Sequence, residues 1–186
     1  KAIMDDALGR YPTDWYADAI YDCGIDIRDK AGRAAHYIGY DSTSQIKVYA
    51  KESPELVKQL DLKSDSITNL GIANQLAHEM GHYFERSNTD VGNAARAYYD
   101  KRTKSSELTE MYPGEYTKKD HFADEYMGKY YTSGSTEITS VLVQKLGYLD
   151  PKKSITQDLF SNQKKDIQSY NFVLGLLAGG GTKWEE

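Results

Sequence analysis

The run His78-Glu79-Met80-Gly81-His82 carries more chemistry than any other stretch of this chain. On a helix, histidines four residues apart hold their Cβ atoms about 5–6 Å apart on one face, so both imidazoles can reach a single metal ion. Glu79 is turned about 100° from His78 and can stand beside such an ion without ligating it. A carboxylate in that place can take a proton from water that a zinc ion has acidified to a pKa of about 7, then pass it to a leaving amine. Gly81 costs roughly 1 kcal/mol of helix propensity relative to alanine. A costly residue between the ligands points to close packing or to function. The bland alternative is a chance pattern on a solvated face. With four histidines in 186 residues, that occurs in roughly one chain in a few hundred.

The motif needs a helix to hold it, and the spacing predicts one from Ile67 to about Arg86, with Ser64-Asp65-Ser66 as candidate caps. Ala73, Leu76, Ala77, Met80 and Phe84 form its apolar stripe, and His78 and His82 lie nearly opposite, toward a cleft or solvent. Upstream, Pro12–Ile20 reads as a short helix and Gly24–Arg28 as a short strand. Ala34–Tyr40 and Gln45–Ala50 read as better strands joined by Asp41-Ser42-Thr43-Ser44, which makes a hairpin. Ser53-Pro54-Glu55 opens a short helical or irregular link. Downstream, helices are predicted over Asn93–Lys104, Glu137–Tyr148 and Asp166–Leu177, with an irregular tyrosine-rich stretch from Met111 to Tyr131. A small, mostly antiparallel sheet followed by helices is an α+β pattern.

Length and composition narrow the function classes. The chain fits one domain over residues 1–178, with two subdomains meeting near the histidine helix, followed by a Gly-rich linker or tail at 179–186. It starts at Lys1 instead of Met, which together with the tail predicts a piece of a longer polypeptide. Cys23 is the single cysteine, so no internal disulfide and no thiolate cluster can form; it reads as a small buried hydrophobe. Net charge is -5 and the sequence pI about 5.4, with Lys and Arg dispersed among acids, which argues against a nucleic-acid partner. The longest apolar run, Phe172 to Ala178, is broken by Gly175 and falls far short of the roughly 20 residues of a membrane helix. The expectation is a soluble protein, whether cytoplasmic, virion-associated or secreted without disulfides.

On these residues the chain resembles the zincin metallopeptidases. Within them it looks most like the glutamate zincins, whose third metal ligand is a Glu on a later helix. The resemblance rests on His78-Glu79-Met80-Gly81-His82, the hairpin before it, and Thr136-Glu137-Ile138-Thr139-Ser140 at the opening of the later helix. It implies a zincin-like fold with zinc as cofactor, His78, His82 and Glu137 as its ligands, and Glu79 as general base in peptide-bond hydrolysis. It also implies a protein or peptide substrate paired along the strand around Arg33 to Tyr37. The stretch Asp124 to Tyr131 followed by Thr136-Glu137 further resembles minimal metallopeptidase-like domains of phage minor structural proteins, which suggests a virion assembly as setting. The chain departs from the metzincin pattern, having Glu85 and Asn88 where that pattern has Gly and His. It also has Val141 where thermolysin-like enzymes commonly have an Asp a turn after the third ligand.

Several roles stay open. His121, Asp124 and Glu125 compete with Glu137 for the third-ligand place, although a ligand on a regular helix is better positioned. Tyr126, Tyr130 and Tyr131 can each offer a phenol to a tetrahedral oxyanion, with Tyr130 and Tyr131 favoured because they lie just before Glu137. His36, on a strand, reads as structural. Two rival functions remain: a non-catalytic, metal-stabilised docking module, and a zinc amidase or deformylase acting on a small substrate. Glu79 favours an enzyme, because a structural site has no use for a base. An open groove beside the edge strand favours peptides over the small substrate.

Overall fold

The computed structural model describes residues 1–15, 22–31, 36–40, 43–51, 67–147 and 166–179. Its first part contains α1 (Ala2–Leu8) and the strands β1 (Cys23–Ala31), β2 (His36–Tyr40) and β3 (Thr43–Lys51). Next come α2 (Asn69–Ser87) and α3 (Thr89–Arg102), then β4 (Leu108–Tyr112), β5 (Glu115–Lys118), a 3-10 turn over Glu125–Gly128 and β6 (Lys129–Tyr130). Last are α4 (Ile138–Leu146) and α5 (Ile167–Gly179). The class is α+β, as the sequence pattern implies. No helix among the described residues is long and apolar enough to cross a membrane.

The histidine helix α2 packs against α1, β2, β3, α3 and α4. The Thr68 side chain accepts a hydrogen bond from the Gly71 amide at its N-terminus, so Thr68 is the cap; the candidates Ser64-Asp65-Ser66 lie outside the described residues. At the other end Asn88 stops α2 and starts α3, its Oδ1 accepting from the amides of Asp90 and Val91. Leu76, Ala77, Met80 and Phe84 are buried along the stripe. The Tyr11 hydroxyl donates to the Ala77 carbonyl at 2.5 Å, and the Tyr11 and Trp15 rings lie 4.7 and 5.5 Å from that of Phe84. Residues 16–20 of the helix predicted over Pro12–Ile20, and the link at Ser53-Pro54-Glu55, are outside the described residues.

On one side of α2 lies the sheet β1-β3-β2, with Ile46 and Val48 of β3 fully buried. β2 and β3 are antiparallel, as a hairpin requires, but β1 runs parallel to β3. The sheet is therefore mixed, not mostly antiparallel. β3 inserts between β1 and β2, a choice of partner that strand periodicity does not encode. β2 is left at an edge; of the predicted edge segment, His36 and Tyr37 are described and Arg33 to Ala35 are not.

On the other side α2 meets α4, whose Ile138, Val141, Leu142 and Val143 are buried. The stretch expected to be irregular is so over 119–124, but on either side of it lies a second antiparallel sheet, β4-β5-β6, turned at Pro113-Gly114 where Gly114 has φ 79°. Gly128 seats β6 against β5, since a Cβ there would stand 2.6 Å from the Lys118 carbonyl oxygen. Arg102 ties this region to α5 through ion pairs to Asp120 and, at 2.9 Å, to Asp166.

The α2–α4 contact is closest at Gly81, where a Cβ would lie 2.5 Å from Ser140 Cα and 2.8 Å from its nitrogen. The costly glycine in the motif is thus explained by packing against backbone. Gly81→Ala should lower stability by about 1–3 kcal/mol by forcing α4 away from α2. Urea unfolding checks this, and a wild-type midpoint would contradict it.

Candidate metal centre

His78 and His82 leave α2 on the face turned from its buried stripe, both partly buried, with ring centroids 5.0 Å apart. Glu137 comes from the N-cap position of α4 and is 1% exposed. Its Oε2 lies 3.3 Å from His78 Nε2 and 3.1 Å from His82 Nε2. Among the described residues these three form a group able to hold a metal ion, one ligand atom from each lying within 4.8 Å of the others. Two of the three separations can be set against a simple test. Three ligands at about 2.0–2.1 Å from a tetrahedral ion stand roughly 3.3 Å from one another, which matches the two contacts to Glu137 Oε2.

The carboxylate is fully engaged. Tyr131 Oη donates to Glu137 Oε1 at 2.5 Å, and Ser140 Oγ donates to Oε2 at 3.0 Å. Burial by itself raises the Glu137 pKa, but the hydrogen bonds and charges of His78 and His82 outweigh it and hold the group well below the usual carboxylate range. For His82, burial disfavours the cation; its hydrogen bond to Glu137, with the charges of Glu137, Glu85 and Glu79, more than offsets this and pushes the pKa up to about 9. A metal ion entering the group takes the place of that proton.

Two further residues align the ligands, and neither was picked out from sequence. Gln144 Oε1 lies 3.1 Å from His78 Nδ1, so Nδ1–H donates to the amide carbonyl and Nε2 is left to face Glu137. Glu85, one turn after His82, accepts at 3.0 Å from Thr136 Oγ1 and at 3.1 Å from the Thr139 amide, pinning the start of α4 to α2. The signal for Gln144 was a polar stripe: Glu137, Ser140 and Gln144 fall at i, i+3 and i+7 on an otherwise apolar helix.

Glu79 stands beside the histidines, buried, in the wall of a cleft of about 1200 Å³. Burial raises its pKa, with the charges of His78 and His82 opposing, and a backbone hydrogen bond from Tyr37 of β2 joins it to the edge strand. His36, Tyr126, Tyr131 and Asp124 also line this cleft. Tyr130 does not; it pairs with Tyr116 across β5 and β6, with the Lys118 ammonium 5.6 Å from its ring centre. Asp124 is held by the Tyr126 amide and by Lys145, while His121 and Glu125 are exposed and outside the group. Cys23 is buried, which pushes its thiol up to about 11 and leaves it a protonated hydrophobe at neutral pH.

No protein-family model, curated protein or solved structure matches the chain. The reading of the site therefore rests on its own geometry.

Glu137→Ala should remove one of three ligands and cut divalent-metal affinity by orders of magnitude, whereas His121→Ala should leave it unchanged. Gln144→Leu, which keeps the ligands but frees the His78 ring, should weaken binding by about 10- to 100-fold. Calorimetric metal titration against a competing chelator distinguishes the three.

Proposed function

We propose that this chain is a zinc-dependent peptidase of the glutamate-zincin type. The observation that carries the reading is the convergence of His78 and His82 Nε2 on a buried oxygen of Glu137, with Glu79 alongside in the same cleft. Two imidazoles and one carboxylate form the ligand set of an open, catalytic zinc site, and the described group includes no thiolate that would close it. A zinc ion held there supplies Lewis acidity, polarising a carbonyl and acidifying water.

The remaining work falls to side chains of the chain itself. Glu79 is placed to accept a proton from water, and its raised pKa brings it nearer to the range in which it can also give that proton to a leaving amine. The Tyr37 backbone holds it in place. Tyr126 is the better candidate to donate a hydrogen bond to the tetrahedral oxyanion. Its oxygen accepts from Lys129 Nζ at 3.0 Å and its hydroxyl is hydrogen-bonded to the Tyr131 oxygen, a neutral acceptor from which the proton can turn to an oxyanion, whereas the Tyr131 proton is committed to the Glu137 carboxylate. Lys129 is in turn held by Glu115 at 2.9 Å. The cleft runs beside the edge strand β2, with His36 and Tyr37 on its wall. An extended peptide can add to such an edge by main-chain hydrogen bonds, which supports a peptide over a small amide as substrate.

Glu79→Gln tests the mechanism. The amide still binds water but cannot take its proton, so zinc content should stay at one per chain while peptide turnover falls by at least about 10²-fold. Elemental analysis together with cleavage of a mixed peptide library checks both halves. Turnover near that of wild type would remove Glu79 from the chemistry, and a wild-type protein that takes up no zinc would remove the reading.

A further inference from the structure

Beyond the metal group the cleft continues along α2 toward α3, and its charge changes. Arg86, one turn after His82, and Arg96 of α3 both line it there, with Asn93 and Ser135 beside them. Among the described lining residues the acid at this end is Glu85, and its carboxylate is turned into the start of α4 by Thr136 and Thr139. Arg96 is oriented by its neighbours: Asp100 Oδ2 takes its Nε at 2.9 Å, and its guanidinium carbon lies 5.6 Å from the centre of the Tyr99 ring. Gly134, whose φ of 86° suits glycine, leaves space next to this group, since a Cβ there would stand 3.7 Å from Nη1. The opposite end of the cleft, at Asp124 and Gln144, offers an acid and an amide instead.

We propose that the α3 end of the cleft is a carboxylate-binding subsite, built on Arg96 with Arg86 lining the same end, that selects peptides carrying a carboxylate two to three residues from the bond cut. This rests on the peptidase reading. A guanidinium held by an acid and an aromatic face presents a planar fork that suits a carboxylate. The distance follows from helix geometry: His82 to Arg86 spans about 6 Å of α2, and an extended peptide covers about 3.3 Å per residue. The carboxylate can belong to an Asp or Glu side chain or to a free C-terminus. The two sources share one chemistry, and a peptide set separates them.

The test uses the zinc-loaded Glu79→Gln chain, which holds peptides without cutting them, and fluorescence anisotropy with matched peptides. The pairs differ by Glu against Gln at each position in turn, or by a free against an amidated C-terminus. The expected result is roughly ten- to a hundred-fold tighter binding of the carboxylate member of one pair, with the difference shrinking as salt rises. In the Arg86→Gln/Arg96→Gln double variant the preference should vanish while zinc content is unchanged, and Arg96→Lys should restore part of it. Equal binding of both members of every pair, a preference that survives the double variant, or no saturable binding of any peptide overturns the subsite. Cleavage of peptides by the wild type without acid preference would sink the subsite and spare the peptidase. Arg-dependent binding of acidic peptides by a chain that cuts nothing would do the reverse.

Discussion

Everything at the site depends on how closely α4 can approach α2. At Gly81 the two helices are in backbone contact, with no room for even a methyl group before Ser140. Glu137 sits one turn before Ser140, and His78 and His82 flank Gly81, so this approach is what sets a carboxylate oxygen 3.1 to 3.3 Å from both imidazoles. Glu85 then fixes the rotation of α4 by capping its first turn, and Gln144 extends the same interface to the far side of His78. One tight crossing therefore positions the ligands and the groups that orient them.

That arrangement has an electrostatic consequence. Glu137 is almost wholly removed from solvent, and an ionised carboxylate in such a place is costly unless it is paired. Here two imidazoles, the Tyr131 hydroxyl and the Ser140 hydroxyl share the charge. Without metal, the raised proton affinity of His82 supplies the positive charge the carboxylate needs. A divalent ion held by the group would supply more of it from the same direction. Glu79 and Glu85 add to the negative surroundings, but each is held elsewhere, by the Tyr37 backbone and by the start of α4.

Sequence carried part of this plainly. The 3.6-residue stripe of α2 and the placement of His78 and His82 off it follow from spacing alone, as does the β2–β3 hairpin from alternation. Gly81 announced close packing, and Ser140 is its partner. Other features had no local signature. Whether β1 pairs with β2 or β3, and in which direction, is a tertiary matter, and the strand is parallel to a partner beyond its neighbour. Sheet β4-β5-β6 was hidden because Leu108, Tyr112 and Tyr116 face outward, leaving no buried alternation to read, although Pro113-Gly114 marked its turn. Gln144 carried no motif of its own: the side chain that reaches the His78 ring lies two turns beyond Glu137, where the family pattern names no residue.

The central claim is that His78, His82 and Glu137 form an open zinc site, and X-ray absorption at the zinc edge of the zinc-loaded chain tests it most directly. The account predicts a low-coordinate shell of nitrogen and oxygen only, at about 2.0–2.1 Å, with the outer-shell scattering of two imidazoles. A sulfur neighbour at about 2.3 Å, or a six-oxygen shell with no imidazole signal, would contradict it.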